Sequence, residues 1–201
     1  GGTSDITVRG KGTHAAMPHL GIDPIMVASE LVSALQSIVS RSVNPMDQAV
    51  LSVTKIHAGD AYNVIPEEVH IAGCTRSFSP RVQELLEQNM GRVIEGVTAA
   101  HGATFDFNYQ HGYPATVNTE DGVTAAAGAA IDVVGDGKVD TDTPPLMGSE
   151  DFAFMLQERP GSYIFIGNGV GDGPGGCMVH NPSYDFNDDI AITGVRYWAR
   201  L

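Results

Sequence analysis

The 201-residue sequence predicts a mixed α/β fold, and its first half follows the ferredoxin-like order of strand, helix, strand, strand, helix and strand. Short stretches that alternate apolar and polar residues predict the strands, and two longer stretches with apolar residues at helical spacing predict the helices. An apolar fraction of 42% supports a packed core. Two helices can then cover one face of a four-stranded antiparallel sheet.

The first strand and the first helix have clear boundaries. Residues 5–9 alternate as a short strand, and the glycines of segment 10–12 end it. The segment that follows is irregular because Pro18 cannot lie inside a helix. Asp23 and Pro24 then predict a helix start, with the aspartate as the cap and the proline in the first turn.

Two paired strands come next, around residues 50–56 and 69–75, and a turn-rich connection joins them. A second helix starts at Pro80, and its apolar stripe continues to about residue 100. The last strand of this half, residues 104–109, alternates aromatic and polar side chains.

The second half has too few strands for a sheet of its own. Residues 120–134 predict a helix, and Ser149 is expected to cap another. Residues 163–166 form a short apolar run that is typical of a buried strand, and a closing helix is expected over 188–201. This half therefore resembles part of an α/β domain whose remaining strands lie elsewhere.

The composition argues against several classes of partner. A formal net charge of −13 with only 11 basic residues argues against nucleic acid. No apolar run approaches the roughly eighteen residues of a membrane span, and there is no signal peptide, so we expect no membrane partner and a cytoplasmic location. Cys74 and Cys177 lie far apart, which fits a reducing compartment. Because the chain starts at Gly1 without Met, we expect a piece of a longer protein.

Three polar residues are candidates for a site. Asn63 lies in the connection between the paired strands, and Arg76 closes the second strand, where it either binds an anion or is a solvated strand-end charge. His180 follows a glycine-rich exit from an apolar run, a place where sites gather in α/β folds. Cys177 lies three residues before it, but a closed zinc site needs about four ligands. The alternative is a surface-loop histidine.

Five segments, in chain order, carry a family resemblance: GKGTHAAMPH (10–19, followed by IDPI), AGDAYNVIP (58–66), CTRSFSP (74–80), MGSEDFAFM (147–155) and VHNPSYDFNDD (179–189). Together they resemble the M20 metallopeptidase and aminoacylase family, in its amidohydrolase branch of hippurate hydrolases and auxin-conjugate hydrolases. The segments span nearly the whole chain, and five in register are far more specific than any single one.

The resemblance implies a domain organisation and a reaction. Residues 1–112 would be a ferredoxin-like lid that also forms a homodimer, and residues 113–201 the C-terminal portion of a zinc-peptidase-type α/β catalytic domain. The intact enzyme would hold two divalent metal ions, zinc or manganese. It would cleave a small N-acyl amino acid or a similar amide with metal-activated water.

The resemblance also implies roles for individual residues. His180 matches a metal ligand, and His14 matches the catalytic lid histidine that reaches the partner subunit's active site and polarises the scissile carbonyl. Asn63 and Arg76 match positions that bind the substrate carboxylate or steady the tetrahedral intermediate. The substrate pocket would further include Gly148, Ser149 and Glu150.

One departure limits these implications. The family's upstream Cys-Gly-His-Asp segment and Glu-Glu pair, which supply most metal ligands and the general base, are absent from this chain. We therefore expect the isolated chain to be inactive and to bind no metal by itself. Two alternatives remain: a non-catalytic module for dimerisation and substrate recognition, and a small ferredoxin-like ligand-binding protein unrelated to hydrolases.

Overall fold

The computed structural model describes residues 1–173 and 175–201. These residues form two compact units. Unit 1 contains Gly1–Ala115 and Leu146–Glu150, and unit 2 contains Thr116–Pro145 and Asp151–Leu201. None of the helices in the described ranges is both long enough and apolar enough to cross a membrane.

Unit 1 is built on one antiparallel sheet. Its strands and helices are β1 (Gly2–Arg9), β2 (Thr13–His14), α1 (Pro24–Ser37), β3 (Ala49–His57), β4 (Val64–Ile65), β5 (Glu68–Ser77), α2 (Pro80–Ala100) and β6 (Thr104–His111). The four long strands lie in the order β3, β5, β1, β6, and every neighbouring pair is antiparallel. The mixed α/β class and the four-stranded antiparallel sheet are therefore confirmed.

The core of unit 1 lies between the sheet and its two helices. Alternate residues of β1, including Ile6 and Val8, are buried. They belong to one apolar cluster with Leu31 and Leu35 of α1 and Leu86 of α2. Other β1 side chains alternate with them and are polar and exposed, as expected for a sheet covered on one face only.

Local capping explains where α1 begins. The Asp23 carboxylate accepts hydrogen bonds from the backbone N–H groups of Ile25 and Met26, at 2.9 and 3.4 Å, and Pro24 occupies the first turn. The regular helix ends at Ser37, and one π-helical turn, Ile38–Ser42, extends it.

A buried hydrogen bond ties β6 to β5 across the central strand. The Tyr109 ring lies directly over Gly2, where a Cβ would collide with it. The Tyr109 hydroxyl consequently reaches the buried Thr75 hydroxyl, at 2.5 Å. Gly2 is thus required by the close approach of an aromatic ring.

Unit 2 is helical in its regular parts. Its helices are α3 (Glu120–Val134), α4 (Phe152–Glu158) and α5 (Ala191–Arg200). Helices α3 and α5 pack through Ala126, Ala129 and Tyr197. Burial of Tyr197 raises the pKa of its phenol above the ordinary value. Two of the three helices, over 120–134 and at the C-terminus, lie close to where the sequence predicts them.

Two local predictions in the second half are wrong. Residues 163–166 do not form a strand: the side-chain amide of Asn118 bonds both main-chain groups of Tyr163, at 2.8 and 2.9 Å, and so replaces a neighbouring strand. Ser149 does not cap a helix, because α4 begins at Phe152 with Asp151 as its N-terminal neighbour.

We expect Leu31→Ala to lower the free energy of unfolding of unit 1 by about 2–5 kcal/mol, because the Leu31 side chain is fully buried between the helices and the sheet. Met46→Ala, at a residue that is 88% exposed, should change stability by no more than about 0.5 kcal/mol. Urea unfolding followed by circular dichroism measures both. Equal losses in the two variants would contradict this core assignment.

Candidate active site

The structure brings His14 and Asn63 together on a two-stranded ribbon formed by β2 and β4. His14 pairs with Val64 across the ribbon, and the Ala15 N–H donates to the Asn63 carbonyl at 2.9 Å. His14, Asn63 and Val64 are all exposed. A ring nitrogen, an amide and an apolar side chain are therefore presented to solvent within one small surface.

One edge of the His14 ring is held by the chain and the other is available. Its Nδ1 accepts a hydrogen bond from the Ala16 backbone N–H at 3.0 Å. Nε2 has no hydrogen-bond partner among the described residues. The ring can consequently donate one hydrogen bond from Nε2 to a ligand without losing a protein contact.

Arg76 carries a positive charge that no described carboxylate neutralises. Its side chain is half-buried, and Nη1 donates to the Thr75 carbonyl at 2.8 Å and to the Gly2 carbonyl at 3.5 Å. Two other arginines of unit 1 have acidic partners: Arg9 pairs with Glu68 and Asp106, and Arg81 pairs with Asp47. The remaining two, Arg41 and Arg92, are exposed. A half-buried guanidinium that bonds only carbonyl groups is well suited to bind a carboxylate.

Gly1 lies against this guanidinium and senses its charge. Burial first, and the Arg76 charge second, lower the pKa of the Gly1 amino group below its ordinary value. The amino group donates to the Tyr113 carbonyl at 2.8 Å. The Arg76 charge is therefore felt by its neighbour, in a chain whose net charge is strongly negative.

The segment Leu146–Glu150 is distant in sequence but belongs to unit 1 and approaches Arg76. A Cβ built on Gly1 would lie 3.2 Å from Arg76 Nη1 and 3.2 Å from Ser149 Oγ, so these two atoms are at most twice that distance apart. Gly148 is exposed, and Glu150 is partly buried. The structure thus places Ser149 close to Arg76.

The two parts of unit 1 that carry candidate residues lie at opposite ends of the sheet. The β2–β4 ribbon continues from the end where Arg9 pairs with Glu68, and Arg76 lies at the other end of β5. Eight residues separate Glu68 from Arg76, which places their Cα atoms about 26 Å apart in an extended strand. A small molecule bound at Arg76 therefore cannot also touch His14 of the same unit.

His180 lies in unit 2, in a tight turn where the Asn181 N–H donates to the Met178 carbonyl at 3.1 Å. It has a φ of 71°, the left-handed region that favours glycine, and among the described residues it is the one non-glycine residue with positive φ. Such a conformation costs about 1–3 kcal/mol and concentrates at functional sites. The sequence alone contains no signal of this backbone feature.

Asn168 is a residue whose role sequence reasoning missed. Its side-chain amide donates to the Asp185 carbonyl at 3.3 Å, and its side-chain oxygen accepts from the Asn187 N–H at 3.0 Å. These bonds link the two ends of the segment that contains His180. A Cβ on Gly175 would collide with the main chain of Asn168, which explains a glycine there. No sequence motif would have singled out this asparagine.

The described residues do not fit a complete metal centre. Within ranges 1–173 and 175–201, no group of three or more His, Cys, Asp or Glu side chains is arranged to hold a metal ion. His180 is therefore at most one ligand of such a centre, and Cys177 does not complete a site with it.

Comparison with known proteins places these residues in a family context. A family model described as peptidase family M20/M25/M40 matches residues 9–201. An N-acetyl-L-cysteine deacetylase of Bacillus subtilis is 38% identical over 96% of this chain and 44% of its own length. A hippurate hydrolase of Campylobacter jejuni is 34% identical over 98% of this chain and 50% of its own length.

A solved structure agrees with this match. A Bacillus subtilis protein described as a dinuclear metal-binding peptidase of the M20 family has a TM-score of 0.68 and 27% identity. The alignment covers 99% of this chain and 48% of that one. This chain accordingly spans about half the length of the relatives that it matches.

Proposed function

Because the chain belongs to peptidase family M20/M25/M40, we propose that it is the lid and C-terminal portion of a metal-dependent amidohydrolase that cleaves N-acyl amino acids or similar amides. The observation that carries this proposal is the unpaired, half-buried guanidinium of Arg76 in a strongly acidic chain. Relatives named as a deacetylase of an N-acyl amino acid and as a hippurate hydrolase act on substrates with a free carboxylate.

In this proposal, residues 1–112 form a ferredoxin-like lid and residues 113–201 belong to the catalytic domain. The strand order β3, β5, β1, β6 with two helices on one face supports the lid. In the second part, large apolar side chains such as Phe165, Val170 and Trp198 are 71–91% exposed, which suits packing against further protein. Cytoplasmic location is also proposed, and two unpaired thiols fit it.

Arg76 binds the carboxylate of the substrate in this proposal. The guanidinium already donates to two carbonyl groups, which fixes its orientation, and its charge is not neutralised by the protein. A carboxylate bound there gains a charge-assisted hydrogen bond in a partly desolvated place. Ser149, next to Arg76, and its neighbours Gly148 and Glu150 would complete the wall of this pocket.

His14 stabilises the negative charge that develops on the carbonyl oxygen of the scissile amide. Its free ring nitrogen is exposed and already oriented by the contact with Ala16. Asn63, whose carbonyl is bonded to the same ribbon, offers an amide donor beside it. Donors that already point at the place where this charge develops stabilise mainly the transition state, and they need no reorientation during the reaction.

A complete site needs two copies of the chain. Arg76 and His14 lie at opposite ends of the sheet in one unit, so one small substrate must take its carboxylate contact from one chain and its oxyanion contact from another. A homodimer formed through the lid would supply both. The separation by itself would also fit a binding protein unrelated to hydrolases, but the chain belongs to peptidase family M20/M25/M40.

His180 is proposed as a ligand of one of two divalent metal ions, zinc or manganese, in the intact enzyme. Its left-handed backbone conformation supports a functional role. The other ligands and the general base must come from outside this chain, because the described residues do not form a metal centre. Bound metal ions would supply the activated water, and this chain would bind and orient the substrate.

The missing metal ligands favour a second candidate function for the 201 residues taken alone, a non-catalytic module for dimerisation and substrate recognition. Metal analysis together with an assay on N-acyl amino acids separates the two. Stoichiometric metal and turnover by residues 1–201 would rule out the module. We expect the full-length enzyme to be active and residues 1–201 by themselves to be inactive.

We expect Arg76→Ala in the full-length enzyme to lower kcat/KM for N-acyl amino acids by about 10- to 150-fold, because a charge-assisted bond to the substrate carboxylate is lost. The corresponding neutral amide substrates should lose less than about threefold. Arg92→Ala, at an exposed arginine of α2, is the control and should leave both rates unchanged. Equal losses for charged and neutral substrates would show that Arg76 does not bind the carboxylate.

We expect His14→Ala to lower kcat by about 10²- to 10³-fold with little change in KM, as for other oxyanion donors. His14→Asn separates chemistry from folding: its side-chain oxygen can still accept from the Ala16 N–H, but its amide nitrogen is too short to reach the position of Nε2. Both variants should be inactive, and His14→Asn should remain as stable as the parent. His19→Ala, at an exposed histidine nearby, should keep full activity.

Mixed dimers test whether the site is shared. Co-expressed His14→Ala and Arg76→Ala chains should recover about a quarter of the parent activity, because half of the dimers are mixed and each has one intact site. Either variant alone should keep no more than about a tenth of the parent kcat/KM. Mixed dimers that are isolated and found inactive would show that Arg76 and His14 act at the same site from the same chain, or not at all.

A further inference from the structure

The turn that follows His14 uses three consecutive backbone N–H groups around one side chain. Ala15 donates to the Asn63 carbonyl at 2.9 Å, Ala16 donates to His14 Nδ1 at 3.0 Å, and Met17 donates to the His14 carbonyl at 2.8 Å. The first bond anchors the ribbon and the third closes the turn. The middle bond goes to the imidazole itself.

This middle bond restricts the chemistry of the ring. A backbone N–H can only donate, so Nδ1 must accept and carries no proton in this arrangement. A neutral imidazole then has its proton on Nε2, which is its free, exposed edge. In an Asx turn, a side-chain oxygen accepts a hydrogen bond from the backbone N–H two residues later. Here Nδ1 of His14 takes the place of that oxygen.

The other hydrogen-bonded histidines of the described residues lack such a partner. His70 faces a Thr7 hydroxyl and the Glu68 carboxylate. His101 and His111 face carboxylates through Nε2. A hydroxyl can donate or accept. An ionised carboxylate accepts from Nε2–H and allows Nδ1 to be either protonated or unprotonated, whereas the Ala16 N–H requires an unprotonated Nδ1 on His14.

Rotation of the ring is restricted by the same contact. A half-turn about the Cβ–Cγ bond would bring a ring C–H group against the Ala16 N–H and leave that donor without its acceptor. Tautomer and orientation are therefore fixed together. This matters for an oxyanion donor, because its proton must already point at the place where the charge develops.

We propose that the main-chain N–H of Ala16 is a positioning group that holds His14 in the Nε2–H tautomer and in one ring orientation, with the proton directed toward the ligand. Its catalytic meaning rests on the proposed role of His14. The tautomer, however, is a property of this chain and can be measured without substrate or metal.

Nuclear magnetic resonance on the ¹⁵N-labelled 201-residue chain tests the tautomer directly. At a pH where the ring is neutral, we expect His14 Nδ1 to show the chemical shift of an unprotonated nitrogen and Nε2 that of a protonated one. A scalar coupling should connect the Ala16 amide nitrogen with His14 Nδ1. A proton found on Nδ1, or the absence of that coupling, would overturn the proposal.

Backbone esters test the cause. An ester oxygen in place of the Ala16 N–H should abolish the coupling, allow both tautomers and lower kcat of the full-length enzyme by about 3- to 10-fold, the equivalent of one net hydrogen bond, with KM nearly unchanged. An ester at Met17 is the matched control: it removes the bond to the His14 carbonyl and should leave the ring signals unchanged. Unchanged ring signals or unchanged kcat with the Ala16 ester would overturn the proposal.

The proposal and the proposed function fail in different ways. An inactive His14→Ala enzyme, combined with a parent ring protonated on Nδ1, would refute only the role of Ala16. An active His14→Ala enzyme would refute the oxyanion role of His14, whatever tautomer the ring adopts.

Discussion

The antiparallel register between β1 and β5 is the constraint on which unit 1 depends. It runs without interruption from Gly2 opposite Thr75 to Arg9 opposite Glu68. β1 also pairs with β6, so it occupies the interior of the sheet and directs its buried residues toward both helices. The same ladder keeps Arg76 at one end and the His14 ribbon at the other. It therefore acts as a rigid spacer between Arg76 and the His14 ribbon as well as the base of the core.

The sequence predicted the part of the fold in which local pattern and tertiary environment agree. Alternation in β1 and β6, the Asp23-Pro24 start of α1 and the stripe of α2 all specify elements that the structure contains. The apolar run at 163–166 failed because a strand also needs a neighbour, and a side chain from residue 118 took that place. Alternating or continuous apolar residues predict which faces of a strand are buried, but the hydrogen-bond partners of that strand can lie anywhere in the chain.

The sequence contained no signal of the geometry of the candidate site, and the roles of its residues remain predictions. Thirteen positions separate Asn63 from Arg76, and the family resemblance implied that both bind the substrate carboxylate or steady the tetrahedral intermediate. The structure instead groups Asn63 with His14, because the extended β5 strand carries Arg76 to the far end of the sheet. The contact between Ala16 and His14, the left-handed conformation of His180 and the links made by Asn168 depend on backbone conformation, for which no residue pattern gives a signal.

The position of Leu146–Glu150 in unit 1 has a consequence for exchanging parts between relatives. The chain passes from one compact unit to the other three times, after Ala115, Pro145 and Glu150. A chimaera joined at residue 112 would transfer Arg76 but take Ser149 from the other parent. The five-residue segment would then have to match a surface with which it did not evolve. A recombination boundary that keeps unit 1 intact must therefore include this returning segment, so the unit that can be exchanged is discontinuous in sequence.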